Sequence, residues 1–477
     1  MSVTKQKSEP KAETDLRVAF ETLGCRSNFA DTVELQAAVT EQGGTPCNFD
    51  SQADVYVLNT CTVTDNADKT TLKTLKQIRS KAPEARIVVT GCMAETGKDL
   101  IAEAGLGDVI VGPGQRTKVL DAILSGDISP ERSDSGELAK VYPDGRRAKK
   151  SSAKFKSISL DHEFPAALSG PAEFLGEIAN RSRYHLRVQE GCENSCTFCI
   201  IPQTRGRLSS RSIEDLLADI RKLSGLGYRE VVLTGTHLGG YGVDSGSSLY
   251  ELLSKVAEQH LASETLPRVR LSSIDPNDLD LKTVQLILGT PEVFCNHLHI
   301  CVQAFDEQVL KRMNRLYGLS EALELIDAIA ELSPDCGLGS DVICGFPGES
   351  REQTEKAMEL FGTLPFNYLH VFPYSEREGT AATRLPEVID YSERKRRAGR
   401  WRSLASEQRT KFLENRVGKR VELVVEKVSK EWVEGTTREF VGVKLDRNQF
   451  ADIRSGELLR ARGVSVNRAQ EKLLCEL

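Results

Sequence analysis

Short apolar runs alternate with helical stretches in two separate blocks of this chain, and that alternation limits the fold more than any other feature. In the first block, Leu16-Arg17-Val18-Ala19-Phe20, Asp54-Val55-Tyr56-Val57-Leu58 and Arg86-Ile87-Val88-Val89 are mostly apolar and bounded by turn or helix-start residues, as buried parallel strands are. Helical patterns over 31–41 and 65–80 lie between them. This block predicts an open α/β sheet domain over 16–125. In the second block, strands are expected at 184–189, 230–234, 268–273, 297–303, 339–344 and 368–373. Helices over 213–223, 249–260, 307–317 and 321–332 separate them, and Ser212 with Asp215 and Ser350 with Gln353 are helix-start capping pairs. Six strand–helix units fall two short of a closed barrel, so 181–390 predicts an incomplete (β/α)6 barrel with its functional groups at the carboxyl ends of the strands. The missing units leave a lateral opening for a large substrate.

The flanks differ in character. Residues 1–15 are polar, lack an apolar leader core and read as a mobile tail. Residues 126–180 have weak periodicity and read as linker, and the Arg146-Arg147-Ala148-Lys149-Lys150 run within it as a solvated charge run. A basic helical connector is expected over 391–414, where Arg394-Lys395-Arg396-Arg397-Ala398-Gly399-Arg400-Trp401-Arg402 suits either an RNA-phosphate contact or an exposed helix face. From 415 to 477, Val421–Val425, Trp432–Gly435 and Phe440–Val443 alternate apolar and polar residues, which predicts a small antiparallel β barrel.

Twelve cysteines without a secretion signal point to reduced thiols or metal ligands and a cytoplasmic location. No apolar run is long enough to span a membrane. The net charge of −6 leaves any nucleic-acid binding to local patches.

Three of the cysteines fall as Cys-x3-Cys-x2-Cys in the loop Gly191-Cys192-Glu193-Asn194-Ser195-Cys196-Thr197-Phe198-Cys199, directly after the first barrel strand. A zinc site normally takes four protein ligands. A compact trio of soft thiolates instead suits an iron–sulfur cubane with one iron left open to a small molecule. Cys25, Cys61 and Cys92 each sit just past a strand of the first block. In a doubly wound sheet those ends share one rim. Any one of them alone would read as a buried small residue, but three at equivalent strand ends favour a second three-thiolate cluster. Cys47, Cys295, Cys301, Cys336, Cys344 and Cys475 read as packing residues.

Other barrel strand ends offer cofactor-binding candidates: Thr234, Gly235 and His237 after the second strand, the Ser272–Pro276 segment after the third, and Gly345 after the fifth. Phe198, between two of the cysteines, is a further candidate. Turn chemistry is the competing explanation for the glycines, and plain structural hydrogen bonding for His237.

The Cys192–Cys199 loop resembles the signature of the radical S-adenosylmethionine enzymes. With Thr22-Leu23-Gly24-Cys25, Asn59-Thr60-Cys61-Thr62-Val63-Thr64, Thr90-Gly91-Cys92 and a C-terminal barrel similar to a TRAM domain, the chain looks like a methylthiotransferase of that class over nearly its whole length. The Asn59–Thr64 segment and Leu233-Thr234-Gly235-Thr236-His237-Leu238-Gly239-Gly240-Tyr241-Gly242 most resemble the branch acting on N6-threonylcarbamoyladenosine beside the tRNA anticodon. One departure stands out. Where the family usually reads Leu-Gln-Ser-Gly-Ser-Asp, this chain has Val302-Gln303-Ala304-Phe305-Asp306-Glu307.

The resemblance implies two 4Fe-4S clusters and S-adenosylmethionine, with the adenine of the latter beside the Phe198 backbone. Cys192, Cys196 and Cys199 would hold the cluster that reductively cleaves the cofactor, and the resulting 5′-deoxyadenosyl radical would take hydrogen from C2 of the modified adenosine. Cys25, Cys61 and Cys92 would hold the cluster carrying the sulfur. The implied partners are tRNA and an electron-donor protein, with the sulfur donor left open and no membrane. Three alternatives stand beside this reading: a methylthiotransferase for isopentenyladenosine or a ribosomal-protein aspartate, an RNA-binding iron–sulfur sensor without turnover, and a radical enzyme with one cluster.

Overall fold

The structure is a computed structural model that describes residues 16–125, 182–263, 265–450 and 452–477. The expected tail and linker lie outside the described residues.

The first sheet comprises β1 (Arg17–Thr22), β2 (Thr45–Cys47), β3 (Val55–Thr60), β4 (Arg86–Gly91) and β5 (Val109–Ile110), in the order β2-β1-β3-β4-β5. Every pairing is parallel. All six residues of β3 are buried, as a central strand covered on both faces requires. Helices α1 (Arg26–Glu41), α2 (Asp65–Lys81), α3 (Cys92–Thr96), α4 (Lys98–Glu103) and α5 (Arg116–Leu124) complete the domain. The chain reverses its winding between β1 and β3, so the crevice beyond their carboxyl ends is the expected ligand position. α1 starts five positions before the helix expected at 31, directly after Cys25, whose extended backbone forms the N-cap.

The second block contains β6 (Tyr184–Glu190), β7 (Ser209–Ser210), β8 (Glu230–Gly235), β9 (Arg268–Leu271), β10 (Ser273–Ile274), β11 (His297–Gln303), β12 (Gly337–Cys344) and β13 (Tyr368–Pro373). The expected third strand breaks at Ser272, so that β9 pairs with β8 and β10 with β11. The result is an arc of parallel strands, with β7 antiparallel on the edge of β6. Outside it pack α7 (Ile213–Gly225), α8 (Leu249–Leu261), α9 (Leu281–Gly289), α10 (Glu307–Arg312), α11 (Leu319–Leu332) and α12 (Arg351–Thr363), while the short α6 (Ile201–Arg205) packs against α3 of the first domain. α10 is shorter than the helix expected over 307–317, because Asn314 turns to φ 54°. Strand alternation puts Leu298, Ile300 and Val302 into the outer core. His297, His299, Cys301 and Gln303 therefore face the interior of the arc. Both capping pairs form: Ser212 accepts from the Asp215 N–H, and Ser350 and Gln353 make a reciprocal box.

The long helix α13 (Tyr391–Glu414) carries the basic run. Its aromatic residue is not on the surface. Trp401 is 1% exposed and packs on Phe305 and Phe361. Arg394 pairs with Glu376, Arg397 with Glu349 and Glu393, and Arg400 with Glu355. Arg394, Arg397 and Trp401 are thus structural, while Lys395, Arg396, Arg400 and Arg402 form an exposed helix face. Trp401→Ala should lower the unfolding free energy by about 3–5 kcal/mol, measured as a fall in the denaturant midpoint.

The chain ends in a closed barrel of β14 (Arg420–Val428), β15 (Trp432–Thr437), β16 (Gly442–Asp446), β17 (Leu458–Asn467) and β18 (Lys472–Glu476). Its pairings are antiparallel except β16 with β18, which is parallel. Phe440 is not in a strand as expected. It sits at φ 61° in the turn before β16, stacked near His297 (4.8 Å) and Tyr368 (5.4 Å). Arg268 and Arg270 donate to carbonyls of Thr436, Thr437 and Arg438 in this region. The turn therefore closes the amino-terminal end of the parallel arc. Among the described residues, no helix is long and apolar enough to cross a membrane.

Candidate active site

Cys25, Cys61 and Cys92 follow β1, β3 and β4, and a dense set of bonds holds their loops together. The Asn28 amide donates to the Leu23 and Thr60 carbonyls (2.7 and 2.8 Å), and Asn59 donates back to the Asn28 carbonyl (2.8 Å). The Thr60 hydroxyl donates to the Thr90 carbonyl (2.6 Å) and accepts from the Met93 N–H (3.1 Å). Gly24 has φ 96°, and a Cβ there would lie 2.7 Å from the Cys61 Sγ. The three thiols interact electrostatically with one another. Burial pushes the Cys61 thiol up to about 12, and raises Cys92 despite the nearby Arg205 guanidinium.

The second trio lies beyond β6. Gly191 has φ 72°, and a Cβ would sit 1.8 Å from the Arg207 carbonyl oxygen, so only glycine fits the entry to the loop. The Thr197 N–H and hydroxyl donate to the Met313 and Arg312 carbonyls, and the Cys199 N–H to Cys196. Arg315 reaches the Cys196 Sγ at 3.0 Å while pairing with Asp275 at 2.5 Å. Burial pushes Cys199 up to about 12 and raises Cys196, with Arg315 opposing the latter shift.

Buried charge joins the two trios. Arg205 donates to Asn28 and to Glu190, and pairs with Asp31 at 3.0 Å. Arg187 pairs with Asp31, Glu34 and Glu190. Arg116 pairs with Asp31 and Glu34 (2.9 and 3.0 Å). Burial opposes the charge on Glu190, but Arg205 and Arg187 outweigh it and hold the carboxyl at about 2. These groups span α1, β6 and α6, so they fix the first sheet against the arc. Removing Arg187 strands buried carboxylates without their partner. Arg187→Met should therefore cost about 3–5 kcal/mol, seen as early melting of the whole chain.

The remaining candidates divide. The His237 ring lies 2.6 Å from Asp278 and 3.3 Å from Asn194 of the cysteine loop, and the His237 backbone N–H donates to the Gln189 side-chain oxygen. Phe198 lines a cavity of about 220 Å³ with Val63, Thr64, Cys199, Gln303 and Asp341. Both trios' loops thus contribute to its wall. The Thr234 hydroxyl is buried and donates to the Val232 carbonyl. Gly235 abuts Gln189, and the space a Cβ would take at Gly345 is filled by the Arg394 side chain 2.6 Å away. Thr234 and Gly345 are buried, and Gly235 is half-buried. Sequence reading missed Arg315, Asp278, Asn194 and Asp341. Asp341 lies 3.0 Å from His299 and 3.1 Å from His370.

Each trio offers soft donors for a cluster that keeps one iron free of protein ligands. Ligation would exchange the thiol protons for metal. A parallel arc bearing such a loop past its first strand defines the radical S-adenosylmethionine class. Residues 186–361 match the Radical SAM superfamily, and residues 17–112 match the Uncharacterized protein family UPF0004.

Curated relatives narrow the assignment. The threonylcarbamoyladenosine tRNA methylthiotransferase of Aquifex aeolicus is 33% identical, covering 86% of this chain and 93% of its own. That of Bacillus subtilis is also 33% identical, covering 87% and 86%. The tRNA-2-methylthio-N(6)-dimethylallyladenosine synthase of Phocaeicola vulgatus is 30% identical, covering 96% and 95%. The chain belongs to the radical S-adenosylmethionine methylthiotransferase family. Among solved structures, the radical S-adenosylmethionine methyltransferase TsrM of Kitasatospora setae aligns with TM-score 0.52 at 14% identity, covering 76% of this chain and 72% of that one. That likeness concerns the fold alone.

Proposed function

We propose that this enzyme adds a methylthio group to C2 of N6-threonylcarbamoyladenosine beside the tRNA anticodon. The observation that carries the reading is the cavity walled by both Val63–Thr64, next to Cys61, and Phe198–Cys199. A substrate there would touch Cys199 of one trio and the loop that follows Cys61 of the other. Its cofactors are 4Fe-4S clusters and S-adenosylmethionine, with Cys192, Cys196 and Cys199 holding one cluster and Cys25, Cys61 and Cys92 the other. When bound, these groups supply the reductive cleavage and the sulfur that no acid–base side chain can provide at an aromatic carbon.

The chain's own residues position and enclose. Arg315, held by Asp275, fixes Cys196, and Asn194 links the cysteine loop to His237 and Asp278. Phe198, Val63 and Ile343 give the cavity apolar walls that exclude water, while Gln303 and Asp341 leave polar groups for a substituted base. Thr234, Gly235 and Gly345 serve by shaping the backbone around this rim. The C-terminal barrel, TRAM-like in form, would grip tRNA through exposed Arg460 and Arg462 on β17. An electron-donor protein completes the set of partners, and the cytoplasm is the compartment where they meet.

Reconstituted protein given S-adenosylmethionine, dithionite and an anticodon stem-loop bearing N6-threonylcarbamoyladenosine should yield the 2-methylthio nucleoside. Turnover of isopentenyladenosine in its place would move the enzyme to the other tRNA branch. RNA binding without 5′-deoxyadenosine formation would reduce it to a sensor.

A further inference from the structure

Arg26 follows Cys25 and opens α1, yet its side chain turns away from the cysteines into the interior of the arc. Its guanidinium carbon lies 5.9 Å from the centre of the Phe440 ring, against which His297 and Tyr368 also pack. Nη1 is buried and has no hydrogen-bond partner among the described residues. The neighbouring cations are provided for. Arg270 and Arg183 share Glu230, and Arg183 also meets Glu426. Among the described residues Arg26 forms no ion pair, and Asp341, an acidic group that favours its charge from a distance, is already held by His299 and His370. A buried cation without a carboxylate of its own is costly, and a ligand anion is the natural complement.

Asp341 also lines the cavity between the two cysteine trios. The polar interior of the arc therefore continues from that cavity toward Arg26. A base in the cavity would direct a polar substituent along Asp341, His370 and His299, with Arg26 beyond them. The threonylcarbamoyl group ends in a carboxylate, whereas an isopentenyl group ends in hydrocarbon. We propose that Arg26 binds the carboxylate of the threonylcarbamoyl substituent and so sets which modified adenosine this enzyme accepts. The inference rests on the proposed activity and adds the residue that reads the substrate.

The test compares two stem-loops, one with the free threonylcarbamoyl acid and one with its methyl ester, on wild type, Arg26→Gln and Arg26→Lys. Wild type should favour the acid over the ester by roughly 10- to 100-fold in KM, the worth of a charged hydrogen bond. Arg26→Gln should lose that preference, with the change in KM larger than in kcat, and Arg26→Lys should recover part of it. Iron content and melting temperature establish that each variant is folded. The ester comparison on wild type keeps the proposal testable if Arg26→Gln does not fold. Equal use of acid and ester by wild type, or an unchanged preference in Arg26→Gln, would overturn the proposal while leaving the activity intact. Failure of wild type to methylthiolate the acid substrate would overturn both.

Discussion

Cys196→Ala is expected to stop 5′-deoxyadenosine formation from S-adenosylmethionine. The expected loss exceeds the roughly 10–100-fold that removal of an outer partner of a metal ligand costs. Three thiolates are the fewest that leave one iron of a cubane open. Loss of one leaves a second iron without its protein ligand, so the defect is in assembly as well as turnover. Arg315→Ala provides the internal comparison. Arg315 touches the Cys196 sulfur at 3.0 Å and is oriented by Asp275, so its loss should fall within the range of about 10–100-fold. Chromatographic assay of 5′-deoxyadenosine and iron analysis check both variants. Wild-type rate and iron content in Cys196→Ala would contradict the assignment.

Simultaneous replacement of Cys25, Cys61 and Cys92 by alanine should produce the opposite split. Cleavage of S-adenosylmethionine should persist, the methylthio product should vanish, and bound iron should fall by half. The separation follows from geometry. The two trios stand on different elements, one past β6 and the other past β1, β3 and β4, and are joined by the charge network of Arg205, Arg187 and Glu190 rather than by a shared loop. Unaltered iron in the triple variant would make these thiols core residues of a one-cluster enzyme.

Features set by neighbours in sequence were readable before the structure, and features set by distant neighbours were not. The spacing of Cys192, Cys196 and Cys199 is local. Cys25, Cys61 and Cys92 became legible only because the strand pattern brought the ends of β1, β3 and β4 to one rim. β2 and β5, of three and two residues, are too short to show a period. Arg315 carried no signal, since its meaning comes from Asp275 and Cys196 far away in the chain. The division of the basic run of α13 into buried and exposed cations was hidden for the same reason. Glu349, Glu355 and Glu376 lie well before the run in sequence yet pair with Arg397, Arg400 and Arg394 in space. The unusual Ala304-Phe305 pair also resolves physically. Phe305 turns into an aromatic group with Phe361, Phe366 and Trp401, while Gln303, at φ 66°, stays on the cavity wall. The departure from the family pattern therefore anchors α13 rather than opening the site.

The most direct test is mass spectrometry of tRNA nucleosides from cells with and without this protein. 2-Methylthio-N6-threonylcarbamoyladenosine should disappear on deletion and return with wild type but not with Cys196→Ala. Its persistence in the deletion strain would contradict the proposed substrate.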